Sequence, residues 1–135
     1  MASLNLFYSF VEKLAEGVFD FENDQIVVAL TNTEPDLTGQ EIANITEISY
    51  TNLTTRNLTT SSSSQTSGTY SFVVNDHILS GNGGSVGPFQ YIVLYDDTAT
   101  NDPMIGYYDY GSAATLNAGE TLTLDFSTTG VFSIT

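Results

Sequence analysis

GGSVGPFQYIVLYDDTATNDPMIGYYDYG, residues 83–111, holds two apolar, aromatic-rich runs on either side of a short acidic loop. Val, Ile, Tyr and Phe at this density favour extended backbone, and Asp, Asn and Thr between them favour a turn. The stretch therefore reads as a long β-hairpin with a polar tip. That reading sets the fold class as mainly β.

Working outward, the chain continues strand after strand. Asp76 to Ser80, Phe89 to Tyr95, Met104 to Tyr110, Thr121 to Phe126 and Val131 to Ile134 are apolar runs separated by Gly, Asn and Asp. Strand starts every 8–12 residues or so are the pattern of a sandwich or barrel. Leu122, Leu124 and Phe126 alternate with Thr121, Thr123 and Asp125, giving one buried and one wetted face. Upstream, Gln25 to Thr31 is a buried strand stopped by Asn32 and Pro35. Glu41 to Ile48 has room for one helical turn. Tyr50 to Thr66 is dominated by Ser, Thr and Asn, a composition open to a flexible linker. Its Thr content and the following Tyr70 to Val74 run argue instead for a polar edge strand turning at Ser67-Gly68.

Before the first strand the period changes from two to three and four. In Ser3 to Gly17 (SLNLFYSFVEKLAEG), Leu6, Phe7, Phe10, Val11, Leu14 and Val18 form one apolar stripe. Ser3 is placed to cap the helix start, and Gly17 sits where a left-handed C-terminal cap belongs. The expected architecture is an antiparallel β-sandwich, jelly-roll-like, preceded by a short N-terminal amphipathic α-helix. It forms a single domain, with the helix in residues 1–18 and the sandwich in 24–135.

Composition narrows the function classes. Sixteen Asp and Glu face only two strong cations, Lys13 and Arg56, for a net charge of −14. Nucleic acid and anionic lipid are bound through Lys and Arg that displace counterions, so neither is an expected partner. An acidic surface suits a basic patch on a protein, and it also serves solubility alone. No window approaches the ~20 apolar residues of a membrane span. With no cysteine and no basic region before an apolar run, the expectation is a chain made and kept soluble in a cytoplasm.

Catalytic signals are sparse, and the chain is not expected to be an enzyme. His77 is the single histidine, and no G-x-S-x-G elbow accompanies it. A surface or hydrogen-bonded structural histidine is the ordinary reading. One imidazole and no thiolate leave little for zinc. Asp96, Asp97, Asn101 and Asp102 cluster in the hairpin loop and could offer hard oxygens to calcium, yet without EF-hand spacing they read as turn residues. Gly81 to Gly87 (GNGGSVG) lacks the Lys and the following helix of a phosphate loop. The sequons at Asn44, Asn52 and Asn57 fall in a Thr-rich tract and are discounted. No cofactor and no metal is expected.

The aromatics carry more. Phe89, Tyr91, Tyr95, Tyr107, Tyr108 and Tyr110 concentrate in the hairpin, and consecutive Tyr107 and Tyr108 must face opposite sides of a strand. They are cross-strand pairs or anchors of a protein contact, a reading favoured over a carbohydrate platform because the chain has no Trp.

Four motifs resemble a family of small structural proteins of tailed bacteriophages and prophages. They are Leu30-Thr31-Asn32-Thr33-Glu34-Pro35 after the helix and first strand, Thr46-Glu47-Ile48, the block Gly87 to Thr98 with Asp102 to Gly111, and the Ala118 to Thr121 turn. The chain departs from that pattern at Tyr107-Tyr108, where Trp is expected, and in the Ser/Thr-rich Leu53 to Gly68 segment. The resemblance implies a virion component assembled in the host cytoplasm, a capsid decoration (cement) protein on the capsid exterior. It would be a homo-oligomer, a trimer, stabilising the major capsid protein lattice. The expected contacts are Phe7, Phe10, Val11 and Leu14 on the helix, Tyr107, Tyr108 and Tyr110 on the strand, and Asp96, Asp97 and Asp102 in the loop. The alternative position is a tail, baseplate or head-fibre component binding a host glycan or another virion protein.

Overall fold

The computed structural model describes residues 3–135. The hairpin forms as two long strands, β6 (Val86–Asp96) and β7 (Met104–Leu116), the central pair of a four-stranded antiparallel sheet. β1 (Asn5–Leu6) lies outside β7, and β2 (Ile26–Thr31) lies outside β6. β3 (Thr60–Thr66), β4 (Thr69–Val74) and β9 (Phe132–Ile134) make a three-stranded sheet, while β5 (His77–Ser80) pairs with β8 (Thr121–Leu124). The expected mainly-β, antiparallel architecture with one short helix is what forms. The second layer is divided into these two smaller sheets.

All six residues of β2 are buried, because the four-stranded sheet is covered on both faces. Ile26, Val28 and Leu30 enter the larger core, with Ile92 and Leu94 of β6, Phe72 and Val74 of β4, and Leu79 and Leu124 of the small sheet. Val27 and Ala29 point the other way, into a smaller core with Phe7, Val93, Tyr95, Met104 and Tyr107. Leu37, Ile42 and Ile45 cover it. They come from the segment after β2, which includes the short 3-10 turn Ile42–Asn44.

An extra residue in β7 maintains this alternation. Tyr95 pairs with Met104 and Leu94 with Gly106, leaving Ile105 as a bulge. The offset lets Met104 and Tyr107 share the smaller core while Ile105 and Tyr108 serve the larger one.

The outer edge of β2 would expose a row of unpaired donors and acceptors. Residues 48–58 close it: Ile48 N donates to Leu30 O at 3.0 Å, Val28 N to Arg56 O at 3.0 Å, and Leu58 N to Ile26 O at 2.9 Å. Leu30 N donates to the Tyr50 hydroxyl at 2.9 Å. The motifs at Leu30–Pro35 and Thr46–Ile48 thus meet across this edge. Of the polar tract, Thr60–Thr66 forms edge strand β3 and the part before it is irregular; β3 turns into β4 at Ser67 and Gly68, both with positive φ (52° and 84°). That is the two-residue turn geometry which matches strand twist.

The helix is shorter than expected. α1 spans Tyr8–Ala15 with Phe7 at its N-cap, and Asn5–Leu6 is strand β1, so Ser3 does not cap the helix. Strand pairing wins there because Gly106 leaves room for β1, and Phe7 N then donates to Ile105 O at 3.2 Å. The free donor of Tyr8 is satisfied by Leu37 O at 3.0 Å in place of a side-chain cap. The C-terminus ends as read. Gly17 has φ +79°, Gly17 N donates to Leu14 O at 3.3 Å, and Val18 N donates to Lys13 O at 3.0 Å, the paired bonds of a Schellman cap.

Candidate docking surface

Helix α1 carries apolar side chains on two faces. The inner face is consumed by the fold. Phe10 sits in an aromatic cluster with Phe19 and Phe132, each 5.2 Å away between ring centroids, and Leu14 is half-buried against it. The outer face is exposed: Tyr8 is 66% exposed and Val11 60%. The two are three residues apart, so they neighbour each other on the helix surface. Leu6, just before the helix, is also exposed.

The ten expected contact residues therefore divide. Phe7, Phe10, Tyr107 and Tyr108 are buried within the chain's own cores and cannot meet a partner in this conformation. Tyr107 packs on Phe7, and its hydroxyl donates to Glu34 Oε1 at 3.2 Å. Burial, and then Glu34, raise its phenol above the ordinary tyrosine range. Tyr108 packs on Phe126, and burial alone pushes its phenol up to about 12. Val11 and Tyr110 are exposed, and Leu14 is half-exposed. Tyr110 rides on a protrusion where residues 110–113 of β7 stand against the single Gln90 of β6.

The acidic loop divides the same way. Asp97 is exposed and Asp102 half-buried, its carboxyl raised by burial and then by Asp97. Asp96 is fully buried, so it is no surface contact. Its Oδ1 accepts from Thr98 N at 2.9 Å and Ala99 N at 3.0 Å, and so shapes the loop from inside. Among the described residues, no three His, Cys, Asp or Glu side chains come together as a metal-holding group.

Of the two cations, Arg56 is used internally. Its Nη1 donates to Val28 O at 2.7 Å, and its guanidinium lies 3.7 Å from the Tyr50 ring centroid. Glu47 Oε1 is 4.0 Å from the same nitrogen and accepts from the Tyr50 hydroxyl at 2.6 Å. His77 Nε2 lies 2.7 Å from Thr55 O, an acceptor, so the ring donates its proton to the backbone.

Tyr8 was absent from the expected contacts. A stripe drawn through Phe7, Phe10 and Leu14 describes the inner face, and Tyr8 with Val11 begins a second stripe that the same count merges into the first. The surface can bind by apolar contact at Tyr8 and Val11 within an acidic surround that includes Glu12 and Glu16, both exposed. No protein-family model, curated protein or solved structure matches the chain.

Proposed function

We propose that this chain is a virion structural protein, a decoration protein that binds the outer surface of a phage head and stabilises the major capsid protein lattice. The observation that carries a binding role is the exposed outer face of α1, Tyr8 and Val11. Contiguous apolar surface on an otherwise polar protein marks interaction sites. The net charge of −14 selects the partner's chemistry: an apolar footprint rimmed by Lys and Arg, since a second acidic surface would be repelled. The phage setting comes from the motif resemblance, above all Gly87 to Gly111.

The mechanism is mass action. A ligand that binds only the assembled lattice stabilises it by RT ln(1 + [L]/Kd), about 2.7 kcal/mol at a hundredfold excess over Kd. A trimer presenting several copies of the patch would raise the effective affinity further. The test is to mix the purified chain with expanded empty heads of its phage, sediment them, and melt the pelleted particles. Co-sedimentation with a raised capsid melting temperature is expected. A chain that stays in the supernatant, or that is found on the tail of intact particles by electron microscopy, would sink the reading.

A further inference from the structure

At one end of the four-stranded sheet, a buried carboxylate lies near a second one from a different element. Asp96 ends β6 opposite Ile26 of β2. It is fully buried, and while Oδ1 accepts two backbone N–H groups, Oδ2 has no donor among the described residues. Asp24 lies two residues before Ile26, the β2 partner of Asp96, and its carboxyl raises that of Asp96. As two ionised carboxylates, neither can donate to the other, and a buried anion would stand beside another anion. One proton between them turns the contact into an O–H···O⁻ hydrogen bond, among the stronger kinds.

We propose that Asp96 keeps a proton that its Oδ2 donates toward Asp24, forming a pH-sensitive latch that joins the turn before β2 to the tip of the β6–β7 hairpin. The surrounding bonds fit that role. Gln25 N donates to Thr98 Oγ1 at 2.9 Å, and Asp97 N donates to Gln25 O at 3.0 Å. Asp24 is itself held, its Oδ2 accepting from Asp20 N at 3.1 Å and its own N donating to Asp20 O at 2.8 Å. The latch therefore sits where two loops are already tied, and its proton decides whether the tie is complete.

The titratable groups around Asp96 are acidic, with one exception. The turn brings Asp20 besides Asp24, the hairpin loop brings Asp97 and Asp102, and Glu41 bridges to Pro103, whose carbonyl accepts Asp96 N at 3.0 Å. β2 sets apolar Ile26 opposite. Among the described residues Lys13 is the one cation on the adjoining cleft, a space of about 660 Å³ that Asp20, Asp24 and Glu41 also line. Its Nζ is directed to Gln40 O at 3.5 Å. Burial, and then the Asp24 carboxyl, push the Asp96 carboxyl up to about 7, outweighing the two N–H bonds that lower it. Between the ordinary carboxylate range and about 7, the folded chain holds a proton that the unfolded chain has released. The latch's contribution is thus complete at low pH and is lost as pH rises through 7.

The test reads the proton directly and then removes the need for it. Carbon-13 carboxyl titration of the unmodified chain should give Asp96 a midpoint close to neutrality. A midpoint in the ordinary carboxylate range would overturn the latch. Asp96→Asn keeps the acceptor for Thr98 and Ala99 and offers Asp24 an amide donor at every pH. Its urea midpoint should match the unmodified chain at pH 5 and exceed it at pH 8. In Asp24→Asn the amide can donate to ionised Asp96, so the Asp96 midpoint should fall, and an unchanged midpoint would count against the pair. If instead chelator lowers the unmodified chain's urea midpoint, or calcium chloride raises it and Asp96→Asn abolishes the rise, a cation occupies the gap and the latch is wrong.

Discussion

Phe7 and Tyr107 pack ring against ring, centroids 6.0 Å apart, on the face of the four-stranded sheet that the larger core does not touch. Their contact joins the strand before the helix to the middle of the hairpin, and both are almost fully buried. This second core is why adjacent Tyr107 and Tyr108 can both be buried on opposite faces of one strand. It also fixes where α1 starts, since Phe7 is the extended residue from which the helix departs.

Truncating Phe7 to alanine leaves a cavity among Val27, Ala29, Val93 and Tyr107 and should cost about 3–5 kcal/mol. Tyr107→Phe keeps the ring and loses only the hydrogen bond to half-exposed surroundings, costing roughly 0.5–1.5 kcal/mol. Urea denaturation of the two variants separates the packing role from the polar one. Equal losses would mean that the Glu34 bond, and not the ring contact, holds this core.

Gly106 should be irreplaceable for a related reason. A methyl group there would fall 2.8 Å from Asn5 O and 2.8 Å from Leu4 Cδ1, inside the β1 pairing. Gly106→Ala is expected to push β1 off β7 at a cost of about 1–3 kcal/mol. Hydrogen exchange should then lose protection at Phe7 N, which bonds Ile105 O, while β2 and β6 remain protected.

These positions also show what the sequence can carry. The hairpin was legible because its residues favour extended backbone and its loop favours a turn, and the Tyr107/Tyr108 alternation follows from strand geometry alone. The helix stop was legible in Gly17. The helix start was not, because a periodic stripe takes no account of an open strand edge 100 residues away at Gly106. The second core was hidden for the same kind of reason: its cover, Leu37, Ile42 and Ile45, comes from a segment with no regular period. Asp96 reads as a wet turn residue beside Asp97. Only the β2–β6 register places it inside.

Arg56 acts on stability through three contacts at once, the Val28 carbonyl, the Tyr50 ring and Glu47. Arg56→Ala should destabilise by about 1–3 kcal/mol, with the carbonyl of Val28 losing its side-chain donor. Arg56→Lys should recover little, since a point ammonium neither stacks on Tyr50 nor holds the planar fork geometry. Thermal melts of the three chains in low and high salt decide it. A salt-sensitive loss matched by full rescue with Lys would reduce the residue to a surface charge.

Alkaline titration offers a test of the larger core. With its phenol at about 12 in the fold and near 10 when unfolded, Tyr108 keeps its proton in the native chain after the unfolded chain has released it. Its contribution is complete below 10 and is lost as pH rises from 10 to 12. Tyr108→Phe should flatten that part of the stability curve, measured by urea midpoints across the range.

The outer face of α1 provides the prediction that separates binding from folding. Tyr8→Ser with Val11→Ser removes two exposed side chains that touch neither core, so stability should stay within about 0.5 kcal/mol of the unmodified chain. Binding to expanded heads, read by co-sedimentation, should fall by tenfold or more, because ~1.4 kcal/mol of lost apolar contact is a factor of ten in affinity. Tyr110→Ser, on the protrusion of β7, is the matched control and should leave co-sedimentation unchanged. If Tyr110→Ser is the one that releases the chain from the heads, the contact lies on the hairpin and the helix face is bystander surface. If the double variant unfolds, Tyr8 and Val11 are packing residues and not a docking surface.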